Sequence, residues 1–203
     1  MYYKNTPGFI TNIYHSLEWK INTPQKEIYL TFDDGPHPEI TPWVISELNK
    51  FDARATFFCV GENVERFSDT YKLILKNGHT TGNHTYNHLN GWFTSTINYV
   101  KNIKKCAQVV HSGLFRPPYG KLTRTQIKHL NKYYRIIMWS NLSCDFDSDA
   151  DEKKCLNNLL KNSSSGSIVV FHDSEKAKAK MQYMLPKFLN YFSEKGFEFK
   201  AIK

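Results

Sequence analysis

The sequence has few cysteines and lacks the spacings that would make them a known motif. Four cysteines occur in 203 residues, with no CxxC pair and no regular interval between them. This pattern excludes a zinc knuckle and a dithiol redox site. Cys59 lies in the apolar run ATFFCV and Cys106 on a helical pattern, so we expect buried, reduced thiols. A disulfide between Cys144 and Cys155 is the open alternative.

Long apolar runs are also absent. No stretch approaches the roughly 20 residues that span a bilayer, and polar residues interrupt the apolar pairs near the start of the chain, unlike a secretory signal. From the chain as given we expect no transmembrane segment and a cytoplasmic location, or an extracytoplasmic one if the native chain is longer. A GxSxG nucleophile elbow is missing too, which argues against a serine hydrolase.

Positive charge exceeds negative charge, but no nucleic-acid-binding pattern accompanies the excess. The formal net charge is +8 and the lysines are scattered. No RRM, zinc-finger or helix-turn-helix signature is present, so we predict no nucleic-acid partner. A basic surface would still favour an anionic partner such as a cell-wall polymer or an acidic membrane. The sequence indicates no particular oligomeric state.

Strands and helices alternate along most of the chain. Apolar residues at Ile28, Leu30 and Phe32 predict a strand that ends on two acids. Further strands are predicted at 55–60, 79–82, 134–139, 167–171 and 197–202, and helices at 41–51, 68–77, 94–110, 123–132, 149–162 and 183–194. Pro186 is expected to kink the last helix or to start it.

This alternation, with functional groups where strands end, predicts a parallel α/β barrel whose active site lies at the carboxyl ends of the strands. Fewer than eight strands are convincing. No linker or repeat divides the chain, so we predict one domain over residues 27–203, with residues 1–26 as an irregular segment packed on it.

Two adjacent acids and two histidines are candidate metal ligands. Asp33 and Asp34 precede the turn signal Gly35-Pro36, and taken alone they are explained more simply as a solvated turn. His84 and His88 are four residues apart, a spacing that places two imidazoles on one side of a helical turn. One carboxylate with two imidazoles leaves coordination positions open, as catalytic metal sites do.

Five ordered motifs resemble those of the polysaccharide deacetylases, the NodB-like carbohydrate esterases of family 4. They are TFDDGP from Thr31, HTYNH from His84, RPPYG from Arg116, Asp145-Phe146 and VVFHD from Val169. The resemblance implies a distorted, incomplete (β/α) barrel. It also implies a metal-dependent hydrolase that removes acetyl groups from an N-acetylated or O-acetylated sugar or polysaccharide.

The same resemblance implies a role for each motif residue. One divalent ion, usually zinc, would be held by Asp34, His84 and His88. Four residues would carry the reaction: Asp33 as general base, Arg116 orienting that base, His172 as general acid and Asp145 supporting the acid. Substrate would meet four further residues, namely Tyr119, whose backbone binds the oxyanion, and Pro118, Phe146 and Val170.

Two positions depart from the family pattern. Phe146 replaces the tryptophan that usually follows the acid of the fourth motif, and Asp147 and Asp149 lie near Asp145, so which acid supports His172 stays open. Val170 stands where leucine is usual. A function of another class also stays open, namely a catalytically degenerate fold that binds carbohydrate without turnover.

Overall fold

A computed structural model describes residues 3–203, and a parallel sheet around one central strand organises it. The strands are β1 (Glu27–Asp33), β2 (Thr56–Cys59), β3 (Thr80–Asn83), β4 (Leu114–Phe115), β5 (Arg135–Ile136), β6 (Asn141–Leu142), β7 (Ile168–His172) and β8 (Glu198–Phe199). The helices are α1 (Gly8–Ile13), α2 (Ile40–Asn49), α3 (Gly61–Arg66), α4 (Ser68–Lys76), α5 (Thr96–Cys106), α6 (Arg124–Leu130), α7 (Glu152–Asn162) and α8 (Lys178–Glu194).

The sheet curls without closing. Its order is β5-β4-β3-β2-β1-β7-β6, every one of these pairs is parallel, and β8 pairs with the start of β1. Because β5 and β6 are the two ends of this order, the barrel is open between them. The predicted α/β class and the incomplete barrel are therefore confirmed.

The central strand is buried almost along its whole length. Six of the seven residues of β1 are buried, as expected for a parallel strand covered on both faces. Phe32 stacks on Phe57 of β2 at 5.0 Å and on Phe171 of β7 at 6.0 Å between ring centroids. This apolar packing fixes the direction of β1 and hence the position of the two acids at its end.

The N-terminal segment covers the open side of the barrel. Isolated bridges join Asn5 to Asn141 of β6 and Glu18 to Ile137, one residue beyond β5. Leu17 is buried in a cluster with Ile136 and other residues of that edge. The segment contains α1, where the sequence analysis expected only irregular structure. It thus connects the two edges that the sheet leaves unpaired and masks their free backbone groups.

Several helix boundaries differ from those predicted. The last helix begins at Lys178 and holds Pro186 in its interior, so the expectation that this proline starts the helix is wrong. Its buried face, which includes Met181 and Phe188, packs into the main core and keeps the helix continuous across the proline. The short helix α3 was not predicted, and α5 ends at Cys106 instead of Val110.

Two other expectations are met in the part of the chain that the structure describes. All four cysteines are buried, and no disulfide joins Cys144 to Cys155. Within residues 3–203, no helix has both the length and the apolar character needed to cross a bilayer.

Gly82 generates a stability prediction, because a Cβ added there would lie 2.5 Å from the ring of Phe58. We expect Gly82→Ala to lower the free energy of unfolding by about 1–3 kcal/mol through overpacking. Gly113→Ala is the matched control, since nothing lies within 4 Å of an added Cβ, and it should stay within about 0.5 kcal/mol. Urea denaturation measures both, and equal effects would contradict the close-packing explanation.

Candidate active site

The carboxyl ends of five strands of the parallel sheet, β1, β3, β4, β6 and β7, bring the predicted site residues together. Asp33 at the end of β1 is in register with His172 at the end of β7. The amide of His84 donates to Cys59 O of β2, and that of Arg116 donates to Asn83 O of β3. Parallel pairing therefore carries residues that are far apart in sequence to one edge of the sheet.

Asp34, His84 and His88 form a cluster of potential metal ligands. One ligand atom from each lies within 4.8 Å of the others. The two histidines are not on a helical turn, as the spacing suggested, but on a loop after β3. Thr85 and His88 both have positive φ there, and the Thr85 amide donates to Asn83 Oδ1 at 2.9 Å. This tight loop replaces the helix in turning both imidazoles to one side.

The hydrogen bonds of the two histidines suit metal ligation. His84 Nδ1 donates to Arg116 O at 2.8 Å, and His88 Nδ1 lies 3.2 Å from Tyr119 Oη. The Nε2 atoms lie 3.7 Å and 3.1 Å from Asp34 Oδ1, respectively. Ligating histidines usually bind through one nitrogen while the other is fixed by a hydrogen bond. The cluster therefore fits a divalent ion of the zinc type.

The protonation states of His84 and Asp34 also suit metal binding. Burial lowers the pKa of His84 to about 4, so its imidazole is neutral near pH 7. Burial alone would raise the pKa of Asp34, but its hydrogen bond with His88 and nearby imidazole charges outweigh this and hold the pKa well below its usual range. A neutral imidazole and an ionised carboxylate are the forms that bind a cation.

Asp33 faces a different partner. Arg116 is completely buried and its Nη1 donates to Asp33 Oδ1 at 2.7 Å and to Thr31 Oγ1 at 2.7 Å. Its Nε and Nη2 donate to the carbonyls of Ile137 and Met138. The guanidinium thus holds the Asp33 carboxylate in one orientation beside the ligand cluster. The neighbouring acids Asp33 and Asp34 therefore have different partners.

His172 is paired with Asp145. Its Nδ1 lies 2.7 Å from Asp145 Oδ1, and its backbone amide donates to Oδ2 at 2.8 Å. Burial would lower the pKa of His172, but the charge and hydrogen bond of Asp145 raise it to about 9. The Asp34 charge also contributes, so an occupied metal site would reduce this shift without removing the Asp145 contribution. Asp145 is thus the acid that contacts His172, while Asp147 Oδ1 accepts from the Asp149 amide.

These residues surround a cavity of about 420 Å³. Tyr119, Phe146 and Val170 line it as predicted, but Pro117 does so instead of Pro118, which is buried. Phe146 packs edge-on against His172 at 5.0 Å. Four further residues line the cavity and were not indicated by the sequence motifs, namely Lys121, Trp139, Leu142 and Lys176.

Asp173 is a positioning residue that the sequence analysis left without a role. It is buried, and its carboxylate accepts hydrogen bonds from the Gly35 amide and from Thr41 Oγ1. Burial raises its pKa to about 8. A Cβ on Gly35 would lie 2.1 Å from Asp173 Oδ2, so this close contact needs glycine. Asp173 thereby fixes the turn that follows Asp34, and the only sequence signal was its place next to His172.

Lys180 also fixes a loop of the site. Its Nζ donates to three backbone carbonyls, those of Asp147, Ser148 and Ala150. This clamps the loop that follows Asp145 onto α8. The loop that follows Asp145 is therefore held in place by the Lys180 ammonium and by the contact between Asp145 and His172.

The site is a cavity lined by acids and imidazoles at the carboxyl edge of an incomplete parallel barrel, the position of enzyme active sites in barrel folds. Comparison with known proteins identifies the family. The chain belongs to the polysaccharide deacetylase family, whose model matches residues 20–134. Peptidoglycan-N-acetylglucosamine deacetylase of Bacillus cereus is 34% identical over 91% of this chain and 90% of that protein. Chitooligosaccharide deacetylase of Azorhizobium caulinodans is 33% identical over 76% of this chain and 77% of its own.

Solved structures agree with this assignment. A peptidoglycan N-acetylglucosamine deacetylase solved with an N-oxidanyl-benzamide has a TM-score of 0.85 and 29% identity, covering 97% of this chain and 95% of that one. Another chain of this fold, a pseudoenzyme from Bacillus anthracis, has a TM-score of 0.78 and 21% identity over 91% of this chain and 66% of its own. The fold alone therefore does not guarantee turnover.

The ligand cluster predicts that His84→Ala loses its metal. Removing one of three ligands leaves too few groups to retain a zinc-like ion, and we expect less than about one tenth of the wild-type metal content after dialysis. His111→Ala is a control at an exposed histidine outside the site. Elemental analysis measures both, and stoichiometric metal in the His84 variant would falsify the ligand assignment.

The Asp145–His172 pair predicts a shift in the pH dependence of activity. Because Asp145 raises the pKa of His172, Asp145→Asn should lower that pKa and move the alkaline limb of the pH–rate profile to lower pH. Asp149→Asn, an exposed acid of the same loop, should leave the limb in place. A limb that stays fixed in Asp145→Asn would mean that another group sets it.

Proposed function

We propose that this protein is a divalent-metal-dependent deacetylase, using zinc, that hydrolyses the N-acetyl group of an amino sugar within a glycan. The observation that supports this is the arrangement of three groups in one cavity. A base held by arginine (Asp33 with Arg116) and an acid held by a carboxylate (His172 with Asp145) flank the ligand cluster of Asp34, His84 and His88. The family relationship supplies the substrate class.

The ion would be held by the ligand cluster, and when bound it would polarise the acetyl carbonyl and make water a better nucleophile at neutral pH. Asp33 takes the proton of the attacking water while Arg116 keeps its carboxylate in place. The backbone amide near Tyr119 stabilises the negative charge on the acetyl oxygen, a contribution on the order of 3 kcal/mol. The carbon–nitrogen bond then breaks, and His172 donates a proton to the leaving nitrogen to give acetate and a free amine.

The raised pKa of His172 favours amide over ester hydrolysis. An amine is a poor leaving group unless it is protonated, whereas an alkoxide depends less on a strong acid catalyst. Burial lowers the pKa of His172, but the charge and hydrogen bond of Asp145 raise it, which favours a protonated imidazole. This supports removal of N-acetyl groups as the main reaction.

The rival function is carbohydrate binding without turnover, as the pseudoenzyme of the same fold illustrates. Acetate release distinguishes the two. We expect the zinc-loaded protein to release acetate from peptidoglycan or chitin oligomers, and less from acetylated xylan, whose acetyl groups are esters. Binding to one of these glycans without release of acetate, in protein that contains stoichiometric metal, would favour the binding function.

Asp33 generates a separate prediction about roles. Asp33→Asn should keep its metal, because Asp33 bonds to Arg116 outside the ligand cluster, but should lose about 10²–10⁴-fold in kcat. Asp149→Asn is the control for loss of one carboxylate at the surface. Elemental analysis and acetate release are measured on the same samples. Loss of metal in Asp33→Asn would show that the roles of Asp33 and Asp34 are exchanged.

A further inference from the structure

A second cavity opens beside the active-site cavity, between the N-terminal segment and the barrel. Its volume is about 330 Å³. Ile10, Tyr14 and Trp19 contribute to one wall, and Trp92, Leu122 and Trp139 contribute to the other. We call this cavity the aromatic cleft. Three of the four tryptophans of the chain line it, a concentration typical of ligand-binding clefts.

The aromatic cleft adjoins the active-site cavity. Tyr119, Lys121 and Trp139 line both cavities. Tyr119 forms the boundary, with its ring centroid 4.7 Å from that of the candidate ligand His88. A molecule whose acetyl group lies at the ligand cluster would therefore extend past Tyr119 into the cleft.

Trp92 is an exposed ring of the aromatic cleft and is held in place. Trp92 is 57% exposed, yet its Nε1 donates to Leu122 O at 3.0 Å. The turn that carries it is anchored by buried Gln126, whose Nε2 donates to Gly91 O at 2.9 Å. A Cβ on Gly91 would lie 2.3 Å from Lys121 O, so the turn packs directly on the loop after Tyr119. A fixed, exposed aromatic face costs little further order when a ligand stacks on it.

Charge in the aromatic cleft has one sign. Lys121 is the only charged side chain among the described residues that line it. Its Nζ lies 3.9 Å from the ring centroid of Trp92, a cation–π contact that keeps the ammonium over the aromatic face. The active-site cavity holds a second lysine, Lys176. A ring with an apolar face and an attached carboxylate would match both the tryptophan and the ammonium.

We propose that the aromatic cleft is a second glycan subsite, which holds the sugar unit adjacent to the one being deacetylated, and that Lys121 pairs with a carboxylate on that unit. The inference rests on the proposed function and adds a substrate preference to it. A pyranose ring stacks its C–H face on Trp92 and displaces the Lys121 ammonium from the ring, and the ammonium then pairs with the carboxylate of the sugar. The enzyme then prefers acidic glycans to neutral ones.

Two tetrasaccharides of equal length test the charge contact. One consists of β-1,4-linked N-acetylglucosamine, and in the other alternate units carry an O-lactyl carboxylate. Lys121→Met keeps the aliphatic stem and removes the charge. We expect it to lower kcat/KM on the acidic tetrasaccharide about fivefold more than on the neutral one, the scale of one partly exposed ion pair. Lys128→Met, an exposed lysine on α6, is the matched control.

The stacking contact needs its own variant. Trp92→Ala should raise KM for both tetrasaccharides on the order of tenfold, while hydrolysis of 4-nitrophenyl acetate, which is too small to reach the cleft, stays unchanged. Phe93→Ala is the control, because Phe93 is 87% exposed next to Trp92 and does not line the cleft. The Phe93→Ala variant should change KM for neither tetrasaccharide.

The outcomes separate this inference from the proposed function. Calorimetric binding of the acidic tetrasaccharide to zinc-loaded Asp33→Asn, with and without Lys121→Met, reports on the subsite even if the wild type releases no acetate. Equal effects of Lys121→Met and Lys128→Met on the acidic tetrasaccharide would overturn the carboxylate contact. Equal loss on 4-nitrophenyl acetate and the tetrasaccharides in Trp92→Ala would show that the cleft is not a subsite.

Discussion

The buried guanidinium of Arg116 is the interaction on which both the barrel edge and the site depend. It bonds to Thr31 and Asp33 of β1 and to the carbonyls of Ile137 and Met138 beyond β5. Its charge also lies over the ring of Phe58 from β2, 4.2 Å from the centroid. One side chain therefore connects the central strand β1 and its neighbour β2 to the edge of the sheet beyond β5. Its own backbone carbonyl accepts the Nδ1 proton of His84, which links the base to the ligand cluster.

A buried charge of this kind is costly unless its hydrogen-bonding capacity is met. Burial lowers the pKa of Arg116, and the Asp33 charge opposes that shift. The ion pair is better understood as a device for orientation than as a source of net stability, since an apolar replacement of the pair would avoid the desolvation of two charges. The ion pair holds the Asp33 carboxylate close to the ligand cluster, but not as one of the ligands. The second acid–base pair, His172 with Asp145, repeats this arrangement on the other side of the cavity.

Local sequence signals predicted the parts of the site that depend on one strand and its turn. The apolar alternation before Asp33 and the Gly35-Pro36 turn sufficed to place both acids at a strand end. The His84–His88 spacing singled out two residues that the structure brings into one cluster. It predicted the wrong local structure, because positive φ angles at Thr85 and His88 have no signature in residue spacing.

Contacts between distant segments could not be predicted in the same way. Asp173 reaches Gly35 across 138 residues of sequence, and the bridges of the N-terminal segment to Asn141 and Ile137 depend on an opening in a sheet that has to be assembled first. The aromatic cleft is a consequence of those bridges, since one of its walls is that segment. The interior position of Pro186 follows from core packing of α8, which overrides the local preference of proline for a helix start.

The central claim is that one metal ion is held by Asp34, His84 and His88 while Asp33 stays with Arg116. Anomalous diffraction at the zinc absorption edge, from crystals grown with zinc, tests it most directly. The account predicts a single peak at about 2.0–2.2 Å from an Asp34 oxygen and the Nε2 atoms of both histidines, with the Asp33 carboxylate still bonded to the guanidinium. A peak ligated by Asp33 in place of Asp34, or no peak at this cluster in protein with stoichiometric zinc, would contradict it.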